Sequence, residues 1–273
     1  MKPIYAAAIS HSAPKLVAPL RLTNDGDEAA TVEFFDNYAA GTKLKIRTAA
    51  DGEWQLWDFS TIALQPGEFV ELCGENSGCT NMLGKFELTG SLAASGSIMS
   101  LVYGERTNKQ NQKRLTFNAF GYYDDNSGDE DGMFNGCTGL TAAPELPATT
   151  LAANCYESMF YGCTGLTAAP ELPATTLAAY CYASMFYGCT GLTAAPELPA
   201  TTLAANCYEY MFEGCSGLNE VTIGFNAWDD DNNATSEWLS NVDPDGIFKC
   251  PAGLDTTTRD SSHVPANWTV ENV

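Results

Sequence analysis

A 26-residue unit repeats four times in the second half of this chain, and no other feature limits the fold as much. The copies open at Met133, Met159, Met185 and Met211. The first reads MFNGCTGLTAAPELPATTLAANCYES; the second departs from it at three positions, and the third from the second at three. The fourth starts MFEGCSGL and diverges into NEVTIGF, as a terminal copy that closes an array should. A unit this short cannot bury its own apolar face. Copies therefore have to stack, about 4.8 Å apart, to make a continuous core.

Each unit has a local logic. Leu140 to Leu146 is extended, because Pro144 and Pro147 exclude a helix there. Thr149 or Thr150 suits a helix start. Leu151, Cys155 and Met159 then fall at i, i+4 and i+8, and Tyr156 and Phe160 form a second such pair, which predicts a short helix with one apolar face. Gly162 suits its C-terminus. The positions at which the copies differ (Asn154, Tyr180, Asn206; Glu157, Ala183, Glu209; Ser158, Ser184, Tyr210) are expected on the exposed side of that helix.

The first half reads as β. Leu44, Ile46 and Thr48 alternate with Lys43, Lys45 and Arg47, and residues 31–35, 53–57 and 68–72 are further strand candidates. Asn24-Asp25-Gly26, Asp51-Gly52 and Gln65-Pro66-Gly67 separate them as turns. The predicted organisation is a leader or linker over 1–18, a small antiparallel β-sandwich over 19–95, and a repeat region with a C-terminal cap over 96–273.

The pattern MF-x-GC-T-x-L-T-x-x-P-x-LP-x-TT-L resembles the BspA-like (Treponema-type) leucine-rich repeats of bacterial surface proteins. The resemblance covers roughly residues 96–273. It implies a right-handed leucine-rich-repeat solenoid with a short strand and a short helix per copy, hence an α+β chain. It also implies cell-surface display and an adhesion-type role, and it brings no catalytic residues. Leu218, Val221 and Ile223 follow the usual strand pattern L-x-x-L-x-L. The internal copies depart from it with Ala143 and Glu145, so a bulge or broken ladder is expected at Pro144. The inside or outside register of Glu145, Glu171 and Glu197 stays open at this point.

Charge excludes several functions. The formal net charge is -21, and from Leu115 to Phe248 there are eighteen carboxylates and no Lys or Arg. Nucleic-acid backbone and anionic lipid both require clustered basic residues, so neither is an expected partner. No run of about 18 apolar residues is present to insert in a membrane. Two histidines, His11 and His263, and no C-x-x-C give no zinc site and no base for a triad. Asp125, Ser127, Asp129 and Asp131, and again Asp229, Asp231 and Asn233, faintly resemble calcium loops but lack the glycine and distal acid of one. No metal and no cofactor is expected.

Ten cysteines mostly follow the repeat. Cys137, Cys163, Cys189 and Cys215 form one ladder, and Cys155, Cys181 and Cys207 another. Both are expected to be packing thiols. Cys73 and Cys79 are the candidate disulfide. Candidate partner contacts are Glu145, Glu171, Glu197, Tyr180, Tyr187 and Tyr210. The expected function is non-enzymatic: a monomeric extracellular or cell-surface protein that offers a repetitive acidic surface to a protein or glycan. A structural spacer or stalk is the alternative. A carbohydrate-active hydrolase ranks last, because Glu145, Glu171 and Glu197 are copies of one position, whereas an acid and a base need distinct environments.

Overall fold

A computed structural model describes residues 18–36, 41–49, 52–104, 113–123 and 130–273. The expected leader over 1–18 and the acidic run 124–129 therefore fall almost wholly outside the described residues.

Eight strands among the described residues build the first half: β1 Leu20–Asn24, β2 Ala30–Phe35, β3 Leu44–Arg47, β4 Gln55–Leu56, β5 Ile62–Leu64, β6 Phe69–Gly74, β7 Lys85–Thr89 and β8 Leu92–Ser95. One sheet runs β8-β1-β6-β3-β4, with antiparallel neighbours, and a second runs β5-β2-β7. Burial alternates along β1 and β2 as a half-buried strand requires. Phe34 of β2 packs on Phe86 of β7 and on Trp57. On the other sheet Glu71 is buried, yet it accepts from both Arg21 and Arg47, which satisfies the carboxylate.

Strands β9 (Gly121–Tyr123) and β10 (Glu130–Gly132) form an antiparallel pair, and the six-stranded sheet crosses into the repeats. β11 (Leu140–Ala142), in the first copy, adds in parallel to β8, with a register shift between Leu140 and Ala142. Phe86 stacks on Phe134 at 5.2 Å, and one continuous core cluster runs from Leu20 to Trp268. A Cβ on Gly139 would lie 1.9 Å from the Gly90 carbonyl oxygen, so only glycine permits this junction.

The helix-containing leucine-rich solenoid predicted from the repeat is not what the chain builds. Strand makes up 26% and helix 3%, and the regular structure is arranged mostly as sheets without solenoid closure. The single α-helix among the described residues is Ser100–Tyr103, which lies outside the repeats. Residues 151–162, where a helix was expected, form a ribbon of tight turns. Asn154, Ser158 and Gly162 take φ of 58°, 52° and 69°, so every fourth residue is left-handed and no helix can propagate. Hydrogen bonds alternate along this ribbon. Glu157, Met159, Tyr161 and Cys163 donate three residues back, to the carbonyls of Asn154, Tyr156, Ser158 and Phe160. The intervening Asn154, Tyr156, Ser158, Phe160 and Gly162 donate instead to Ala179, Cys181, Ala183, Met185 and Tyr187 in the next copy. A ten-residue helix is marginal on its own. The ribbon satisfies the same amides and ties neighbouring copies together.

A four-residue turn period also accounts for the apolar spacing. Each turn buries two adjacent side chains, Cys155 with Tyr156 and Met159 with Phe160. Stacked copies then form ring ladders. Phe134, Phe160, Phe186 and Phe212 lie 5.7, 5.6 and 5.6 Å apart, and Tyr156, Tyr182 and Tyr208 lie 5.8 and 6.1 Å apart. Trp238 meets the last ring of both ladders, and its indole N–H donates to the His263 carbonyl. The chain ends in a parallel sheet of β12 Glu220–Thr222, β13 Ile247–Cys250 and β14 Thr269–Asn272.

Two hydroxyls in the tyrosine ladder, those of Tyr156 and Tyr182, are buried without a hydrogen-bond partner. An orphaned hydroxyl costs about 1–3 kcal/mol. Tyr182→Phe keeps the ring stack and removes the orphan. It is expected to raise stability by about 1 kcal/mol in urea titration; a loss of stability would mean that the hydroxyl has a partner.

Candidate functional site

The proline-containing stretches of neighbouring copies shape a concavity in the repeats. Pro144 and Pro147 carry no N–H, and neither do their equivalents in the next copies, so they cannot donate to a ladder. Ladder contacts survive at the two ends of the array: Glu145 bonds Gly96 and Ile98 on one side, and Leu198 pairs with Ile223 on the other. Between the internal copies the backbones part. One notch of about 370 Å³ lies between Ala143–Pro147 and Pro170–Pro173, and another of about 490 Å³ between Ala169–Thr175 and Pro196–Pro199. Pro170, Glu171 and Pro173 of the middle copy line both, so the two notches adjoin.

This geometry settles the register left open by the sequence. Glu145, Glu171 and Glu197 are exposed, and Leu146, Leu172 and Leu198 after them are buried. The three carboxylates thus lie in one groove, one per copy. Among the described residues none of the three is in a salt bridge or a side-chain hydrogen bond.

The tyrosines are dispersed. Tyr180 is exposed with φ of 55°, Tyr210 is half-buried with φ of 53°, and Tyr187 stacks on Tyr161 at 4.5 Å with the rings parallel to 1°. The expectation that the variable positions are exposed fails at several of them. Ser158, Ser184, Glu157 and Ala183 are buried, because the turn ribbon rolls them inward. Two of the differences are coupled. Asn154 donates to Glu157 and Asn206 donates to Glu209, whereas Tyr180 and Ala183 replace both partners together in the middle copy.

None of the ten cysteines is in a disulfide; Cys73 is buried and Cys79 half-buried. In the ladder, Cys163, Cys189 and Cys215 donate to the carbonyls of Phe134, Phe160 and Phe186 at 3.0, 3.1 and 2.9 Å. Burial pushes the thiols of Cys137, Cys189 and Cys207 up to about 12, from an ordinary 9.0. The sign follows from linkage: the folded chain holds these protons more tightly than the unfolded chain. The stability they contribute is full below pH 9.0 and is lost as pH rises from there through about 12. Alkaline unfolding is therefore expected to coincide with thiol ionisation at 240 nm. Ladder thiols that react with a disulfide reagent at neutral pH while the fold persists would contradict this.

No group of three or more His, Cys, Asp or Glu among the described residues is placed to hold a metal ion. Asp131 instead pairs with Lys85 at 2.8 Å, and Asp229 accepts from Asn232. His11 lies outside the described residues. His263 sits between Asp260 at 2.8 Å and Asp230 at 3.3 Å, with its ring edge-on to Trp228. Burial raises the Asp260 carboxyl, but bonding to His263 outweighs it and holds it below its usual value. Both imidazole nitrogens face carboxylates, so no hydroxyl is lined up as a nucleophile. No residue pattern pointed to this clasp, to the groove's proline walls, or to the Asn–Glu pairs.

No family model matches this chain, and neither does any curated protein or solved structure. No helix among the described residues is long and apolar enough to cross a membrane.

Proposed function

We propose that this chain is a non-enzymatic binding protein of the cell surface or extracellular space, monomeric, which presents its repeat groove to a protein or glycan partner. The observation that carries this is the recurrence of one unpaired carboxylate per copy along a groove of two adjoining notches. Identical contacts recurring at a fixed step suit an extended target and multiply weak affinities. The resemblance of the repeat motif to BspA-like surface proteins supports the same reading, including its adhesion-type role and its location. Catalysis is disfavoured because the three glutamates occupy equivalent places, which gives no division into acid and base. The test is binding of the purified chain to arrays of glycans and extracellular proteins. Saturable binding that is lost on removing the groove carboxylates is expected. Silence on both arrays would leave the spacer reading.

A further inference from the structure

We propose that the groove docks an extended cationic segment of a protein partner, with Glu145, Glu171 and Glu197 each taking one Lys or Arg side chain. This deepens the binding function proposed above and rests on it. The two notches adjoin at Pro170, Glu171 and Pro173, so a chain lying across the copies meets one notch and then the other. Its walls are proline and alanine, and the aliphatic stems of Lys and Arg pack on such walls while their heads reach a carboxylate.

Charge complementarity selects the occupant. The stretch from Leu115 to Phe248 holds no Lys or Arg, so no cation within it neutralises these carboxylates. Spacing agrees. Copies repeat at 5.6–6.1 Å in the ring ladders. Side chains on one face of an extended peptide recur at about 6.4–6.8 Å. Over two steps the mismatch reaches roughly 2 Å, which flexible Lys and Arg stems absorb. A glycan fits less well. Sugars need donors and an open aromatic face, while prolines remove donors here and Tyr161 and Tyr187 cover each other's facing sides.

The test uses the whole chain and fluorescence anisotropy with three labelled eight-residue peptides at low salt: alternating Lys-Ser, four Lys followed by four Ser, and alternating Asp-Ser. The alternating Lys peptide is expected to bind at one site, several-fold tighter than the blocked one, and the Asp peptide not at all. Glu171→Gln should weaken binding roughly 3- to 5-fold. The triple change Glu145→Gln, Glu171→Gln and Glu197→Gln should weaken it roughly 30-fold or more. Glu53→Gln, at an exposed carboxylate outside the groove, should change nothing. Equal affinity for both Lys peptides would overturn the proposal, since attraction to net charge alone would explain it. Binding that survives the triple change would overturn it too. No peptide binding with a positive glycan array would overturn the cationic-segment proposal and leave the binding function standing. Silence on peptides and on both arrays would overturn both.

Discussion

Trp238→Ala is expected to destabilise the chain by about 3–5 kcal/mol, the largest single-residue effect foreseen. The side chain is fully buried and stands at the end of both ring ladders, against Phe212 and Tyr208. It also touches Phe225, Trp228 and Phe248, so one indole ties the last 26-residue copy to the C-terminal sheet. Alanine would open a cavity and strand the His263 carbonyl that now accepts the indole N–H. The His263 clasp to Asp230 and Asp260 lies next to this cavity and is expected to loosen with it. Urea unfolding followed by far-ultraviolet circular dichroism measures the loss. A change below about 1 kcal/mol would show that the ladders are closed by something other than Trp238.

Gly139→Ala should be next in severity, at about 3 kcal/mol, because the obstruction is backbone and has no rotamer to give way. The added methyl would meet the Gly90 carbonyl oxygen, and Leu92 donates to Gly139 at the same crossing. This is where the sheet passes from β8 to β11. Damage there is expected to lower the unfolding temperature of both halves together, in one transition. Gly253→Ala, a site with open space around it, should leave the temperature unchanged and serves as the control. Two separate transitions, with the repeats unaffected by Gly139→Ala, would contradict a shared cooperative unit.

The sequence made the repeat and its stacking legible but misjudged how each copy is wound. Leu151, Cys155 and Met159 recur every fourth residue, and that spacing fits a helix of 3.6 residues per turn as well as a chain of four-residue turns. The distinguishing signal was the third set, Asn154, Ser158 and Gly162. Asn and Gly are residues that tolerate a left-handed backbone, and they stand at that same interval. Tyr180 and Tyr210 hid the pattern, since a tyrosine at such a position is unexpected from its own preferences. Strand prediction worked where alternation was clean, as at Leu44 and Ile46. It overextended at 53–57, where only Gln55–Leu56 pairs. The three glutamates were legible as a recurring set. Their exposure was not, because two prolines interrupt the strand and the period-of-two argument fails across them.

The alternating hydrogen bonds of the turn ribbon have a consequence for how such a chain changes length. Between the internal copies the outgoing amides pass on at an offset of 25 residues, as Asn154 does to Ala179 and Tyr180 to Ala205, and the step lengthens to 26 at the closing copy, where Asn206 donates to Asn232. Adding or removing a whole copy leaves that offset, both ring ladders and both ends untouched, whereas a change of any other size breaks them all. Length is therefore quantised in steps of 26 residues, and each step brings one more carboxylate to the groove. The reach and valency of the proposed binding face can be reset by recombination between near-identical copies, without designing a new contact.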